Sequence, residues 1–338
     1  MHSGGIGEVE GLRRTSAGHL PFRMARSVLT IGNFDGVHAG HGAIVERARE
    51  LGDRLHAKVV TLCFDPHPAT RLRPESAPAR LTSFERRAEL LARCGAHAVE
   101  RLEPTAELLA MSPEAFVSWA VERFAPAAWV EGPDFRFGRA RAGDLGMLAN
   151  LGATMGFGVE VAPLVSVSLS DGTMARASST LARWLIERGR VRDAWSILTR
   201  PYELEGVVVR GDRRGRELGF PTANLDTACM LPGDGVYAGL ALLPGGGAFP
   251  AAVSVGDKPM FGGRARVAEI HVLDAARDGD ALAGLPEYGW RVRVMLVGWL
   301  REQVRFGSID ELLAQMTRDC ARVREVVRER LVPGGSGG

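Results

Sequence analysis

Apolar and polar positions follow two different rhythms in the two halves of the chain. In the first half, short apolar runs alternate with stretches whose apolar residues recur every three or four positions. Val28-Leu29-Thr30-Ile31 reads as a buried parallel strand. An amphipathic helix over about 41–55 follows, with Ile44, Val45, Ala48 and Leu51 on its inner side. Residues 58–64 form a second strand, and 98–102, 128–132 and 156–161 supply three more. Ser83 or Thr82 can cap a helix starting at Phe84, and Ser112-Pro113-Glu114 carries the cap, first-turn proline and acid of another helix start. This alternation predicts an α/β domain built on a parallel sheet.

The rhythm changes after Arg188-Gly189-Arg190-Val191, which breaks a helix, and a short helix over 193–198. Strand candidates then follow one another at 204–209, 236–242, 251–255, 267–273 and 290–297, separated by turn residues, and one long helix over 309–331 closes the pattern. That predicts a small closed antiparallel β-barrel with a terminal helix. The boundary falls near 187–200, giving domains over 24–187 and 200–332.

A length of 338 residues is enough for two cores, and 46% hydrophobic with 24% charged residues is an ordinary soluble composition. A net charge of +2 gives no bulk electrostatic case for nucleic acid. No apolar run is long enough to span a membrane, and residues 1–25 lack a signal-peptide core, so a polar leader and a cytoplasmic location are expected. The glycine-rich tail after Pro333 reads as flexible. Cys63, Cys94, Cys229 and Cys320 are scattered without a Cys-x-x-Cys spacing, which points to reduced thiols rather than a zinc site or disulfide framework. No Gly-x4-Gly-Lys-Ser/Thr occurs, which excludes a P-loop.

The densest chemistry follows the first strand, in Gly32-Asn33-Phe34-Asp35-Gly36-Val37-His38-Ala39-Gly40-His41. Strand, glycine turn and helix start together make an anion site, because unpaired N–H groups and the positive end of the helix dipole face the ligand. His38 and His41, at i and i+3, can face one phosphoryl group and stabilise charge that grows in a transition state; two surface histidines are the plainer alternative. Asp65-Pro66-His67-Pro68 ends the second strand at the sheet edge where open α/β folds bind ligands, or is merely a proline-stiffened loop. Gly132-Pro133-Asp134-Phe135-Arg136-Phe137-Gly138 sets rings and guanidinium groups side by side, as a flavin nucleotide or a solvated basic loop would. Ser178-Ser179-Thr180-Leu181-Ala182-Arg183 offers hydroxyls at a helix start, for capping or for phosphate, with Arg183 one turn on. In the second half, Gly211 and Gly219 flank a glycine-rich stretch that runs into Pro221-Thr222-Ala223-Asn224, whose Thr222 and Asn224 oxygens suit Mg²⁺. Glu269 interrupts an apolar strand and faces either solvent or a site.

These motifs, in this order, resemble the prokaryotic bifunctional riboflavin kinase / FAD synthetase family over roughly residues 26–330. The first segment is similar to the His-x-Gly-His signature of nucleotidylyltransferases, and Gly-Phe-Pro-Thr-Ala-Asn resembles the riboflavin kinase signature. The resemblance implies a Rossmann-like nucleotidylyltransferase domain followed by a riboflavin kinase barrel. It further implies phosphorylation of riboflavin to FMN and adenylylation of FMN to FAD, with ATP, riboflavin and FMN as substrates and Mg²⁺ as cofactor. It casts His38 and His41 as stabilisers of transition-state charge, and Gly32, Phe34, Asp35, Gly40, Ser178, Thr180, Arg183, Gly211 and Gly219 at ATP and its phosphates. Asp65, His67, Pro68, Asp134 and Phe137 fall to flavin or nucleotide, Thr222 and Asn224 to Mg²⁺, and Glu269 to the general base. Two positions depart from the pattern: Met260 stands where the kinases carry a threonine, and the segment 277–287 is longer than usual. They keep open an FAD synthetase with an inactive flavin-binding barrel, and beyond that a flavin- or nucleotide-sensing regulator.

Overall fold

The computed structural model describes residues 26–211, 219–260, 263–279 and 281–331. They group into two compact units: residues 26–33, 42–72 and 88–163 form the first, and 34–41, 73–87 and everything from 164 onward form the second. The unit that holds the barrel therefore also holds two short segments from early in the chain.

The first unit is built on β1 (Ser27–Gly32), α1 (Ala39–Leu55), β2 (Lys58–Phe64), α2 (Ala69–Leu72), α3 (Phe84–Arg93), β3 (Ala98–Leu102), α4 (Ala106–Ala110), α5 (Pro113–Phe124), β4 (Pro126–Glu131), α6 (Leu145–Met155) and β5 (Gly158–Val161). Its five strands are parallel in the order β3-β2-β1-β4-β5. β1 and β2 are buried on both faces, which is why they appear in the sequence as unbroken apolar runs. Leu29, Ile31, Val60, Leu62 and Trp129 pack into one core with Phe116 and Phe157. Ser83 and Ser112 cap their helices as expected, accepting from Arg86 N–H at 3.1 Å and Ala115 N–H at 3.2 Å. The helix α6 has no counterpart in the sequence reading; Asp144 caps it at 2.9 Å.

The strand order reverses between β1 and β4, and their pairing runs only from Ser27 to Leu29 on β1. Beyond it the Glu131 side chain takes over from the main chain, accepting Ile31 N–H at 2.7 Å and Trp129 Nε1–H at 2.8 Å. Burial pushes the Glu131 carboxyl well above the usual carboxylate range, against the opposing pull of these two donors.

The second unit continues through β6 (Ser166–Ser168), β7 (Met174–Arg176), α7 (Ser179–Glu187), α8 (Val191–Leu198), β8 (Tyr202–Val209), β9 (Ala223–Asp226), β10 (Gly235–Leu243), β11 (Gly247–Met260), β12 (Gly263–Val272), β13 (Arg277–Asp278), β14 (Ala281–Leu282), β15 (Arg291–Arg301) and α9 (Ile309–Leu331). Six strands close a barrel in the order β10-β11-β12-β9-β8-β15. Alternate residues fill it: Leu204 and Val208 from β8, Val253 and Val255 from β11, Ala268, Ile270 and Val272 from β12, and Val292, Val294 and Leu296 from β15. The helix α9 lays Val323, Val326 and Val327 against Ala238, Leu273 and Val297 on the outside. Segment 73–87 is fixed to this unit by a buried bidentate ion pair, Arg86 to Glu203 at 2.7 and 2.8 Å, and by Ser83 Oγ–H donating to Glu205 at 2.6 Å. All four cysteines are free thiols, three of them buried.

Candidate active sites

The loop after β1 carries the histidine pair within the second unit. Phe34, Gly36 and Val37 all have positive φ, 48°, 84° and 41°, so the chain coils into a tight left-handed turn. Glycine is required at position 36, where a Cβ would approach Leu81 Cδ1 to 2.8 Å. The strain in this turn is held from three sides. Gly36 N–H donates to Thr82 Oγ1 at 3.1 Å, and Arg200 donates to the Gly36 and Val37 carbonyls at 2.7 and 3.1 Å. Asp35 accepts from Leu81 N–H at 3.0 Å, from Thr82 N–H at 3.0 Å and from Thr82 Oγ1–H at 3.1 Å, and pairs with Arg183 Nη2 at 2.5 Å. Its carboxylate is thus directed at protein donors. The sequence reading gave no role to Arg200, and offered the Ser179 hydroxyl only for capping or phosphate, whereas its Oγ–H donates to the Asp35 carbonyl at 2.7 Å. Both act on main-chain carbonyls, and no motif signals such contacts.

His38 occupies the capping position of α1. Its Nδ1 accepts Gly40 N–H at 3.1 Å and His41 N–H at 3.3 Å. A nitrogen that accepts carries no proton, so the neutral ring bears its proton on Nε2. The two imidazoles stack at 3.6 Å with 23° between planes, and Phe34 meets His41 edge-on at 5.1 Å. Burial lowers His38 to about 4, helped by Arg176, Arg183 and Arg200. Burial, the stacked His38 and nearby arginines push His41 well below the ordinary value. Both rings are therefore neutral hydrogen-bonding groups at pH 7. His41 Nδ1 is buried without a hydrogen-bond partner. Gly40 packs closely on the other ring, since a Cβ there would lie 3.1 Å from the His38 ring and 3.6 Å from the Ala177 carbonyl. The next residue, Ser178, caps α7 by accepting Leu181 N–H at 3.2 Å, while Thr180 is exposed. Arg183 donates its Nε–H to the Ala79 carbonyl at 2.6 Å. The fold thus gathers His38, His41, Asp35, Gly40, Ser178 and Arg183 around one loop.

The depressed His38 value has a consequence for stability. Its folded value lies below the unfolded 6.5, so the unfolded chain binds the extra proton. The contribution is fully present above about pH 6.5 and is lost as pH falls toward 4. Between pH 7 and 5 this amounts to about 2 kcal/mol. His38→Asn keeps a capping oxygen but cannot titrate, so thermal denaturation of that variant should show a correspondingly smaller loss over the same interval.

The remaining positions assigned to flavin or nucleotide lie in two loops of the first unit. Asp65 is buried, with its N–H on the Leu102 carbonyl at 3.1 Å and its carboxylate 3.5 Å from Arg101 Nη1. His67 Nδ1 accepts Ala69 N–H at 3.1 Å, so His67 and Pro68 open α2. In the other loop Asp134 is exposed, but Phe137 is a core residue. Its main chain bridges to Gly143 at 2.9 and 3.1 Å, and its ring lies between Phe116 and Phe135. The half-buried Phe135, rather than Phe137, has ring surface to offer. Gly32 ends β1.

The second cluster lies on the barrel. β9, which the sequence reading folded into the glycine-rich loop, places Asn224 opposite both Glu269 of β12 and Val209 of β8. Ala268 and Ile270 point into the barrel, so Glu269 stands on the outer, half-buried side. Thr222 Oγ1–H points at Glu269 Oε1 from 3.5 Å. Gly211 is packed directly on the Asn224 amide, leaving no space for a side chain there, and Gly219 takes a φ of 78°. The stretch 212–218 between these glycines lies outside the described residues. Beside the cluster opens a shallow pocket lined by Val208, Thr222, Ile270, Arg277, Tyr288 and Trp290. The long segment after β12 supplies part of this wall through the β13–β14 hairpin. Met260 pairs with Gly263 at the β11–β12 turn, and its side chain lies outside the described part. Among the described residues no three His, Cys, Asp or Glu side chains cluster to hold a metal. The all-oxygen set of Thr222, Asn224 and Glu269 instead fits a hard cation that shares its coordination with phosphates and water.

A parallel sheet with a histidine-bearing loop after its first strand, joined to a closed six-stranded barrel with a terminal helix, defines a two-domain nucleotide-handling transferase. The FAD synthetase family model matches residues 22–176 and the riboflavin kinase model matches 198–327. The bifunctional riboflavin kinase/FMN adenylyltransferase of Escherichia coli K12 is 35% identical over 300 residues, covering 88% of this chain and 92% of its own. That of Pseudomonas fluorescens is also 35% identical, over 303 residues, with the same coverage. A solved Streptococcus pneumoniae structure described as a macrolide-efflux protein aligns with a TM-score of 0.78 at 26% identity, covering 90% of this chain and 95% of that one. No helix among the described residues is long and apolar enough to cross a membrane. The chain belongs to the bifunctional riboflavin kinase/FMN adenylyltransferase family.

Proposed function

We propose that the chain phosphorylates riboflavin to FMN and adenylylates FMN to FAD, using ATP in both steps, in the cytoplasm. The observation that supports the adenylylation reading best is the stacked pair of neutral imidazoles, His38 buried and His41 half-buried, on the loop whose Asp35 binds Arg183. An FMN phosphate oxygen attacks the α-phosphorus of ATP, and the bond to the departing pyrophosphate breaks. His38, with its proton fixed on Nε2, and His41 donate hydrogen bonds to the phosphoryl oxygens as charge grows. Ser178, Thr180 and Arg183 take the leaving phosphates, with Asp35 holding Arg183 in place. Gly32, Phe34 and Gly40 shape the turn, and Asp65, His67, Pro68, Asp134 and the Phe135–Phe137 loop meet flavin or nucleotide. This module spans residues 24–187, and the kinase spans 200–332.

In the kinase, Glu269 takes the proton of the ribityl hydroxyl, whose oxygen attacks the γ-phosphorus while ADP leaves. Thr222 and Asn224 would hold Mg²⁺ together with the ATP phosphates, and Gly211 and Gly219 lie at the same phosphates. Bound Mg²⁺ would supply charge neutralisation at those phosphates. The test is chromatography of the flavins after incubation with ATP, Mg²⁺ and either riboflavin or FMN. FMN and FAD from riboflavin are expected. FAD from FMN with nothing from riboflavin would remove the kinase half, and binding without any product would remove both.

A further inference from the structure

His271 lies two residues beyond Glu269 on the same outer side of β12. Its Nδ1 is 2.8 Å from the carbonyl oxygen of Pro221. A carbonyl oxygen only accepts, so Nδ1 carries the ring proton. The ring is half-buried, with the Phe220 ring 5.5 Å away. Burial, Arg277 and Arg324 lower its pKa and keep it neutral, against the opposing effect of the Pro221 bond.

The place of this bond in the sheet gives it a use. The pairing of β9 with β12 consists of Leu225 with Ala268, Asn224 with Glu269 and Ala223 with Ile270, and it ends there. Pro221 and Thr222 lie past the last pair, and Pro221 has no N–H to extend the ladder. The His271 side chain supplies the next rung in place of the main chain. It acts on the residue directly before Thr222, whose hydroxyl faces Glu269 at 3.5 Å, longer than a well-formed hydrogen bond. Without that rung, the hydrogen bond that remains to Thr222 among the described residues is its long contact to Glu269.

We propose that His271 is a positioning residue of the phosphoryl-transfer site: its Nδ1–H anchors Pro221 and so sets Thr222 against Glu269 before substrate binds. The effect on turnover rests on the kinase reading, whereas the effect on the segment rests on the hydrogen bond alone.

The experiment compares His271→Ala, His271→Asn and His271→Gln in the full-length protein. The amide nitrogen of Asn can take the place of Nδ1, whereas that of Gln reaches to where Nε2 lies. Hydrogen exchange followed by mass spectrometry on peptides covering 219–226, without ligands, should be faster in the Ala and Gln variants and close to wild type in the Asn variant. In riboflavin phosphorylation, the Mg-ATP concentration giving half-maximal rate should rise roughly tenfold for Ala and Gln and return to within about twofold for Asn. The KM for riboflavin should stay within about twofold, and FMN adenylylation, measured on the same preparations, should be unchanged and so report intact folding. Unchanged exchange in the Ala variant, or an Asn variant as fast as Ala, would overturn the proposal. A larger effect on riboflavin than on Mg-ATP would overturn it too. Should His271→Ala fail to fold, the contrast between Asn and Gln decides. A wild-type protein that makes no FMN from riboflavin would sink the kinase reading instead, and the exchange pattern would still decide for or against His271.

Discussion

Replacing His41 by alanine is expected to lower FAD formation from FMN at least ~100-fold, the scale of one lost electrostatic stabiliser, and to leave FMN formation from riboflavin unchanged. A buried polar atom without a partner normally costs free energy, yet His41 Nδ1 is one. The ring cannot relieve this cost by protonation, because burial, His38 and the surrounding arginines hold its pKa well below the ordinary value. It is held by a T-shaped contact with Phe34 and by the face of His38, and its neutrality avoids repulsion from Arg183 and Arg200. A group kept in this condition stabilises charge at the moment of reaction with little reorganisation. His41 is a cleaner probe than His38, because His38 also caps α1 through Nδ1 and its removal would disturb the helix start. The two activities are read by chromatography of flavins from one preparation. Equal loss of both would refute the division of labour between the sheet-bearing module and the barrel.

How far the sequence carried depends on whether a position's role is local. Strands buried on both faces and alternating barrel strands announce themselves by period, and β2 and α9 fall where the pattern put them. Caps at Ser83, Ser112 and Ser178 were legible because hydroxyl, proline and acid positions at a helix start act within one turn. What escaped depends on partners far away in the chain. Nothing around Asp35 says that its carboxylate meets the amides of 81–82, nor around Glu131 that it replaces a main-chain acceptor beside β1. The aromatic loop shows the same limit: Phe135 and Phe137 share a motif, but only packing against Phe116 decides which ring goes inside. β9 was hidden because it is four residues long, follows a glycine-rich stretch and draws its definition from pairing with β8 and β12.

The same β9–β12 pairing makes Glu269→Gln the sharpest test of the barrel. Riboflavin phosphorylation should fall by roughly 1,000-fold, the middle of the range for a lost general base, while FMN adenylylation proceeds as before. Glutamine keeps the length of the side chain and an oxygen that can accept from Thr222 Oγ1, so the contact at 3.5 Å and the register with Asn224 have no reason to change. What disappears is the capacity to receive a proton from the substrate hydroxyl, together with one negative charge beside the phosphates. These two losses separate in the kinetics. Loss of the base lowers the rate of the chemical step at saturating Mg-ATP, which a single-turnover experiment reads directly. Loss of charge beside the cation shifts the Mg²⁺ dependence, which a titration at fixed ATP reads. A chemical step slowed less than about threefold would take Glu269 out of proton transfer and leave it as a partner of Thr222. Phosphoryl transfer through a loose transition state would then rest on alignment alone. If the chemical step is abolished with the Mg²⁺ dependence unchanged, Glu269 is the base and Thr222 and Asn224 hold the cation without it.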